Sequence, residues 1–299
     1  RVIVKNNVYD LNVAHEDGYL FWRVRPVAYT GSDFKSRVPG LWGGSNSFPI
    51  VQHEPLLNWQ YQITFSEEEK SKEVISYYDG SLRSRQMVTK IKSDPYVIAA
   101  ETHYDYQGRQ SISVIPSPVE DITSIQYIPN LTRVSSTDSN LMPSDYESML
   151  NSCVPVSPAL SSSFGASRYY STDNSMANST GKEIPSFNHF IPSAQGYPYT
   201  QTLYTPDNTN RVKTQSGLGN TLRMGGGHET YSYYGVPTQT ELDALFGNNV
   251  GYATHYSKTM VMDPNGQLSV SYQNLRGQVI ATALAGDALL FYFFWELAL

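Results

Sequence analysis

The sequence predicts an all-β protein built of antiparallel hairpins, with one short helix, and three observations support this class. Tyr is unusually frequent, at 23 of 299 residues, and Tyr, Thr and Val favour a half-buried pleated face. Several segments alternate apolar and polar residues with a period of two, as strands buried on one side do. A turn motif built on Asp or Asn recurs between those segments, at spacings that suit hairpin tips.

Composition excludes several functions. Charged residues make up 16% of the chain, below the roughly 25% of soluble proteins. The net charge is −6, and no long basic run is present, so we expect no nucleic-acid partner. A lone cysteine, Cys153, excludes an internal disulfide framework and a Cys-x-x-Cys metal site; no metal or cofactor is expected.

The chain begins at Arg1 without a charged and apolar leader. We therefore expect no signal peptide of its own and interpret the chain as an internal fragment of a longer polypeptide.

Four regions differ in character. In residues 1–45, the run 18–28 places large apolar groups on one face and arginines on the other, which predicts an antiparallel strand buried on one side. Residues 46–130 alternate strands with turn signals. Residues 131–200 are dense in Ser, Asn, Thr and Pro, which indicates long loops pinned by scattered aromatic anchors. Residues 201–299 return to strands and turns.

One helix is expected at residues 239–246. Thr238 and Glu241 have the spacing of a capping box, in which each residue bonds the backbone N–H of the other. Leu242 begins an apolar stripe with helical spacing, and Gly247 lies where a helix would end.

The recurring motif is Asp or Asn, two residues, Gly or Asn, then Arg or Gln. The copies are Asp105–Arg109, Asp207–Arg211, Asp263–Gln267 and Asn274–Gln278, and an aberrant copy starts at Asp79. The first side chain can accept backbone N–H groups two residues on, and Gly or Asn three residues later can take a positive φ. The predicted structural turn residues are Tyr104, Asp105, Gly108, Arg109, Asp207, Asn210, Arg211, Asp263, Gly266, Asn274 and Gly277.

The segment Tyr104-Asp-x-x-Gly-Arg109, followed by alternating strand residues, resembles the YD repeat of RHS-repeat proteins, a group related to teneurins and toxin-complex cocoon subunits. Residues 77–86, 204–207 and 280–286 look like the large cell-surface RHS proteins of Bacteroidota-type bacteria. The resemblance covers about residues 55–130 and 195–286. Gln replaces Arg in two copies, Asn replaces Gly in one, and no segment resembles the self-cleaving core that ends many RHS shells.

This resemblance implies a fold and a location. The fold is a long sheet that spirals into a shell around a toxin or enzyme of the same polypeptide, and the location is the bacterial cell surface or the exterior. The run Tyr19–Arg25 is similar to the last strands of a fibronectin type III-like β-sandwich, which implies an N-terminal sandwich remnant in residues 1–45.

Our first hypothesis is therefore structural: the chain is part of an RHS/YD-repeat shell that encloses or displays a C-terminal toxin or effector, without catalysis. Its partner would be the remainder of its own polypeptide, namely flanking repeats and an enclosed C-terminal domain. The alternative is an adhesion module that binds surface glycans or proteins, because exposed Tyr and Trp suit such surfaces. That alternative predicts that Trp22, Trp42 or Trp59 are exposed together on one face.

An enzyme built on Gly225-Gly-Gly-His228-Glu229 ranks last. A glycine run before a histidine could cradle an anion, but a tight glycine turn between strands is the favoured interpretation, and no second His follows at metal-binding spacing. The other histidines, which also lack such spacing, are His15, His53, His103, His189 and His255. His103 is expected to be structural and Cys153 a lone thiol. Glu120 and Asp121 are adjacent and would point to opposite faces of a strand, which is unsuited to paired acid–base work.

The tail 288–299 is intensely hydrophobic, and the apolar stretch reaches 21 residues when it is counted back to Val279. That length approaches a membrane span, but Asp287 and Glu296 would be costly in a bilayer. We expect a buried strand or an artificially exposed end.

Overall fold

The computed structural model describes residues 18–31, 36–50, 54, 56–67, 71–120, 122, 124–150, 152, 155–174, 176, 190–285 and 291–294. Its main feature is one antiparallel sheet of twelve strands, and it confirms the all-β class. The strands are β5 (Asn58–Phe65), β6 (Ser71–Tyr78), β7 (Ser84–Ile91), β8 (Val97–Tyr104), β9 (Gln110–Val119), β10 (Tyr199–Tyr204), β11 (Val212–Gln215), β12 (Thr230–Gly235), β13 (Tyr256–Met262), β14 (Leu268–Asn274), β15 (Val279–Ala285) and β16 (Phe291–Phe294). Each strand lies beside its neighbours in the chain, so the sheet is an uninterrupted meander.

Two small ladders precede the sheet. The strands β1 (Gly18–Trp22) and β4 (Asn46–Ile50) pair with each other, and they enclose the pair β2 (Val27–Thr30) and β3 (Ser36–Pro39) along the chain. The predicted strand at the start of the run 18–28 is therefore confirmed, although its side chains are mostly exposed. The sandwich implied by the fibronectin-like resemblance stays a prediction.

The core lies between one face of β6–β10 and the segment that connects β9 to β10. Alternation drives this packing: β8 buries every second side chain, beginning with Val97 and Ala99. The connecting segment contributes buried side chains that include Leu131, Leu141 and Tyr146. Burial of each such side chain stabilises the fold by about 1.5–3 kcal/mol relative to exposure.

Residues 131–200 differ from the predicted loop region. Their described part includes the helices α1 (Pro143–Leu150) and α2 (Gly165–Tyr169), and it covers one face of the sheet. Of the expected aromatic anchors, Tyr169 is buried and the Tyr170 hydroxyl donates to the Pro116 carbonyl at 2.7 Å, whereas Phe164 and Phe190 are exposed. The polar composition predicted long loops, but a polar segment needs only a few well-spaced apolar residues to cover a sheet.

Two further short helices, α3 (Gly219–Leu222) and α4 (Gln239–Phe246), lie in the C-terminal half, followed by a 3₁₀ turn at Ala253–His255. The helix α4 confirms the predicted bounds. The backbone N–H of Glu241 donates to Thr238 Oγ1 at 3.2 Å, and Glu241 Oε2 accepts the backbone N–H of Thr238 at 3.4 Å. The other three helices were not predicted from the sequence.

The apolar C-terminal tail is described only at β16, which pairs with β15 and so extends the sheet. A strand is present there, as predicted, and its burial stays a prediction. Asp287 and Glu296 lie outside the described residues. None of the helices within the described ranges is both long and apolar enough to cross a membrane.

Candidate functional site

The turn after β8 shows the motif in its complete form. Asp105 Oδ1 accepts the backbone N–H groups of Gln107 and Arg109 at 3.0 and 2.8 Å, and Asp105 Oδ2 accepts Arg109 Nε at 2.7 Å. The backbone N–H of Gly108 donates to the Asp105 carbonyl at 2.9 Å, with Gly108 at φ +81°. The Asp105 side chain is fully buried, so this turn is a closed, charge-neutral unit.

The turn after β6, predicted as aberrant, is complete. Asp79 Oδ1 accepts the backbone N–H groups of Ser81 and Arg83, and Asp79 Oδ2 accepts Arg83 Nε at 2.8 Å. The position that Gly108 fills in the next turn is held by Leu82, at φ +58°. The motif assigned to this turn from the sequence was aberrant because it was aligned on Gly80, whereas the residue with positive φ is Leu82.

The last two turns keep the backbone pattern without an ion pair. Asp263 Oδ1 accepts the N–H groups of Asn265 and Gln267 at 2.9 and 2.8 Å. Asn274 Oδ1 does the same for Arg276 and Gln278 at 2.9 and 3.1 Å. The following glycines have positive φ as predicted: Gly266 at +81° and Gly277 at +76°.

The turn around Asp207 differs from the prediction. It closes through the Thr205 N–H and the Arg211 carbonyl, six residues apart, whereas the turn at Asp105 closes over four. Asp207 therefore lies inside a longer tip, where its Oδ1 accepts Thr205 Oγ1 at 2.6 Å and the Thr209 N–H at 3.2 Å. Asn210 has the predicted positive φ of +57°.

The arginine of one turn stacks on a tyrosine at or next to the end of a later strand. The distances from Cζ to the ring centroid are 4.9 Å for Arg83 on Tyr104, 4.3 Å for Arg109 on Tyr204 and 5.0 Å for Arg211 on Tyr234. Each tyrosine hydroxyl donates to the backbone carbonyl of the residue after that arginine: Tyr104 to Ser84 at 3.0 Å, Tyr204 to Gln110 at 2.8 Å and Tyr234 to Val212 at 3.0 Å. We call these three arginine–tyrosine pairs, each with its stacking contact and its hydrogen bond, the turn interlock.

The interlock gives the motif residues a second role. Arg83 Nη1 also reaches the Asp105 carbonyl at 3.4 Å, and a Cβ at residue 108 would lie 3.2 Å from that same nitrogen. Glycine at residue 108 is thus favoured by its positive φ, and a larger residue would also require the end of the Arg83 side chain to move slightly. Sequence reasoning placed Tyr104 in the motif but missed the interlock and Tyr234, which is followed by Gly235 rather than by Asp.

A second cluster of polar residues lies in the core. The Gln86 amide is fully buried: its Nε2 donates to Glu101 Oε2 at 3.1 Å and to the Ile128 carbonyl at 3.0 Å, and its Oε1 accepts the Ile128 N–H at 2.8 Å. Arg85 Nε donates to Glu101 Oε1 at 3.3 Å. Gln86 thereby bonds the backbone of the segment that connects β9 to β10, called the covering segment below, to the sheet.

Burial sets the charge state of this cluster. Desolvation raises the pKa of the Glu101 carboxyl, although Arg85 and Gln86 favour the charged form. Desolvation, with a smaller effect of Arg85, lowers the pKa of His103 to about 3. His103 is therefore neutral at pH 7, with its Nε2 3.3 Å from Glu101 Oε1, and it is a core residue, as predicted.

The glycine run 225–227 forms a turn closed by its own carboxylate. Glu229 accepts the backbone N–H groups of Gly225 and Gly226 and, at 3.1 Å, the Tyr231 hydroxyl. The ring Nδ1 of His228 lies 2.8 Å from the Pro264 carbonyl. The N–H groups of Gly225 and Gly226, which an enzyme hypothesis would direct at an anion, thus already have an acceptor.

The remaining candidate residues that the structure describes, Glu120 and His255, each have contacts of their own. Glu120 pairs with Arg168 at 2.6 Å, and His255 lies in the 3₁₀ turn, edge-on to Tyr252. Asp121, Cys153, His15, His53 and His189 lie outside the described residues. Within the described part of the chain, no three His, Cys, Asp or Glu side chains are grouped as metal ligands would be.

Replacing Leu82 by Gly should raise the free energy of unfolding by about 1 kcal/mol, because a non-glycine residue in the left-handed region carries strain of that order. Leu82 is 68% exposed, so little packing is lost. Urea unfolding at 25 °C measures the change. Asn210→Gly, at the same turn position, is the matched control and should gain less, since Asn tolerates this conformation. A less stable Leu82→Gly protein would contradict the strain argument.

Comparison with known proteins adds no assignment: neither the protein-family models nor the curated proteins include a match to this chain.

Proposed function

We propose that this chain is a structural module of an RHS/YD-repeat type shell, which encloses or displays a C-terminal toxin or effector at the bacterial cell surface and performs no turnover itself. The single observation that supports the proposal is the turn interlock, repeated along one side of a sheet whose strand order follows the chain. The partners would be the remainder of its own polypeptide: flanking repeats and the enclosed domain.

The chemistry of the turns favours a mechanical role. In the turns at Asp79 and Asp105 the arginine is neutralised by its own aspartate, and its flat face is covered by a tyrosine ring. A charge held in this way is poorly placed to act on a substrate. It can hold neighbouring hairpin tips in register, which a wall of hairpins requires.

Protease protection in the full polypeptide tests enclosure. We expect a resistant core that contains this chain, together with a second protected fragment that corresponds to the enclosed domain. Arg109→Ala, which removes one contact of the interlock and the ion pair to Asp105, should speed digestion of the second fragment by loosening the wall. Arg223→Ala is the matched control, because Arg223 also stacks on a tyrosine, Tyr197 at 5.3 Å, but outside the interlock. If the rest of the polypeptide is digested at the rate of an unfolded substrate, the proposal that the shell encloses a domain is wrong.

A second candidate function, surface adhesion, has one favourable observation. Trp22 and Trp42 in the N-terminal ladders are 49% and 41% exposed. The guanidinium groups of Arg23 and Arg25 each lie 4.4 Å from the Trp42 ring. Trp59, by contrast, packs against the core of the large sheet, so it does not belong to the exposed pair. Exposed Trp with Arg is typical of binding surfaces.

A further inference from the structure

Arg211 differs from the other two arginines of the turn interlock. Arg83 and Arg109 pair with the aspartate of their own turns, at 2.8 and 2.7 Å. In the longer turn the Asp207 carboxylate is bonded by Thr205 and Thr209 instead, and its pKa is lowered mainly by the Thr205 hydrogen bond, with the charge of Arg211 as the last contributor. Within the described residues no salt bridge joins Arg211 to Asp207, and the guanidinium stacks on the ring of Tyr234 at 5.0 Å. Its N–H donors are therefore available to a ligand.

The guanidinium borders an open cleft of about 270 Å³ on the sheet, between β11, β12, β13 and β14. The polar side chains at this cleft come from one face of the sheet, because Tyr234 pairs with Thr259 and Ser257 pairs with Gln273 across neighbouring strands. The volume is slightly below the roughly 300–1,000 Å³ of pockets that hold drug-sized molecules. A single sugar ring would suit this size.

The cleft presents hydrogen-bonding groups that the fold does not use. Within the described part of the chain, the hydroxyls of Ser257 and Thr259 and the amide of Gln273 have no hydrogen-bond partner and are half-buried. Lys258 also borders the cleft, but its ammonium lies on the opposite face, bonded to Glu241 and 5.7 Å from the Tyr272 ring. Arg211 is therefore the cation that a ligand in this cleft would meet.

We propose that this cleft binds the carboxylate of an acidic sugar, with Arg211 as its anchor. The planar guanidinium matches a carboxylate with two parallel hydrogen bonds. The two hydroxyls and the Gln273 amide can donate to and accept from sugar hydroxyl groups. The chain as a whole carries a net charge of −6, so retention of an anion here would depend on this local site. The proposal is independent of the shell and of the N-terminal tryptophans.

Calorimetric titration of the 299-residue chain with galacturonate tests the site, with galactose, acetate and inorganic phosphate as comparison probes. We expect galacturonate to bind and galactose and acetate to bind at least about tenfold more weakly, because one lacks the charge and the other lacks the hydroxyls. Arg211→Gln should weaken galacturonate by at least about tenfold, and Thr259→Val, which keeps side-chain shape, by about threefold. Equal binding of phosphate and galacturonate would overturn the assignment to a sugar acid.

Lys213→Gln provides the matched control. Lys213 lies two residues after Arg211, in β11, and its replacement changes the net charge by the same amount, but it does not border the cleft. We expect affinity for galacturonate within about twofold of the unmodified chain. An equal loss in Lys213→Gln and Arg211→Gln would show that general electrostatics, not this site, holds the anion, and no detectable binding of galacturonate would refute the proposal. Thermal unfolding of each variant checks that the fold is intact.

Discussion

Replacing Asp105 by Ala should lower the free energy of unfolding by about 3–5 kcal/mol, the cost of leaving a buried charge without its partner. The guanidinium of Arg109 is only 11% exposed, and its charge is balanced by the fully buried carboxylate of Asp105. The substitution also removes the acceptor of two backbone N–H groups that define the turn. Urea unfolding at 25 °C measures the loss.

Asp263→Ala is the matched control for this prediction. It removes the same two backbone hydrogen bonds from a more exposed turn, where Gln267 stands in place of the arginine. We expect a loss of about 1 kcal/mol, since no charge is stranded. Equal losses in the two variants would show that turn closure, rather than the buried ion pair, gives Asp105 its importance.

Replacing Gln86 by Leu should be similarly costly, about 3–5 kcal/mol. Leucine fills much of the volume of Gln86 but leaves both backbone groups of Ile128 and one oxygen of Glu101 without their bonds, all inside the core. The covering segment would lose its attachment to β7. Hydrogen exchange at the Ile128 amide should speed up accordingly, which separates this effect from general destabilisation.

Gln62→Leu makes the same chemical change at an exposed position of β5. A change within about 0.5 kcal/mol is expected there, as for most surface substitutions. If Gln86→Leu were equally mild, the amide of Gln86 would not be what joins the covering segment to the sheet.

Local features of this fold were predictable because their causes lie within a few residues. The turn at Asp105, the positive φ of Gly266 and Gly277, and the capped helix α4 each follow from spacing alone. Leu82 shows the limit of such reasoning, because its neighbour Gly80 is the residue that a motif search selects.

Features that join distant residues were not predictable from spacing. Gln86 and Ile128 are 42 residues apart, and Arg109 meets a tyrosine at 204 across the whole covering segment. In the sequence, Gln86 therefore looks like any other polar strand residue, because no nearby residue indicates that its side chain is buried. The candidate site at Arg211 was not predictable for a related reason: within the described residues Arg211 forms no salt bridge with the aspartate of its turn, because that turn closes over six residues rather than four.

The strictly sequential strand order has a consequence for how such a chain can grow or shrink. Because each strand of the twelve-stranded sheet pairs only with its chain neighbours, a hairpin of that sheet can be duplicated or deleted without changing the pairing of the others, as in repeat proteins with nearest-neighbour energetics. The junction of β9 and β10 already contains such an insertion: the chain leaves at Val119, returns at Tyr199, and the two strands still pair. Hairpin tips are thus the places where new polypeptide can enter during evolution. The stacking of Arg109 on Tyr204 across that gap shows what keeps the two sides aligned when it does.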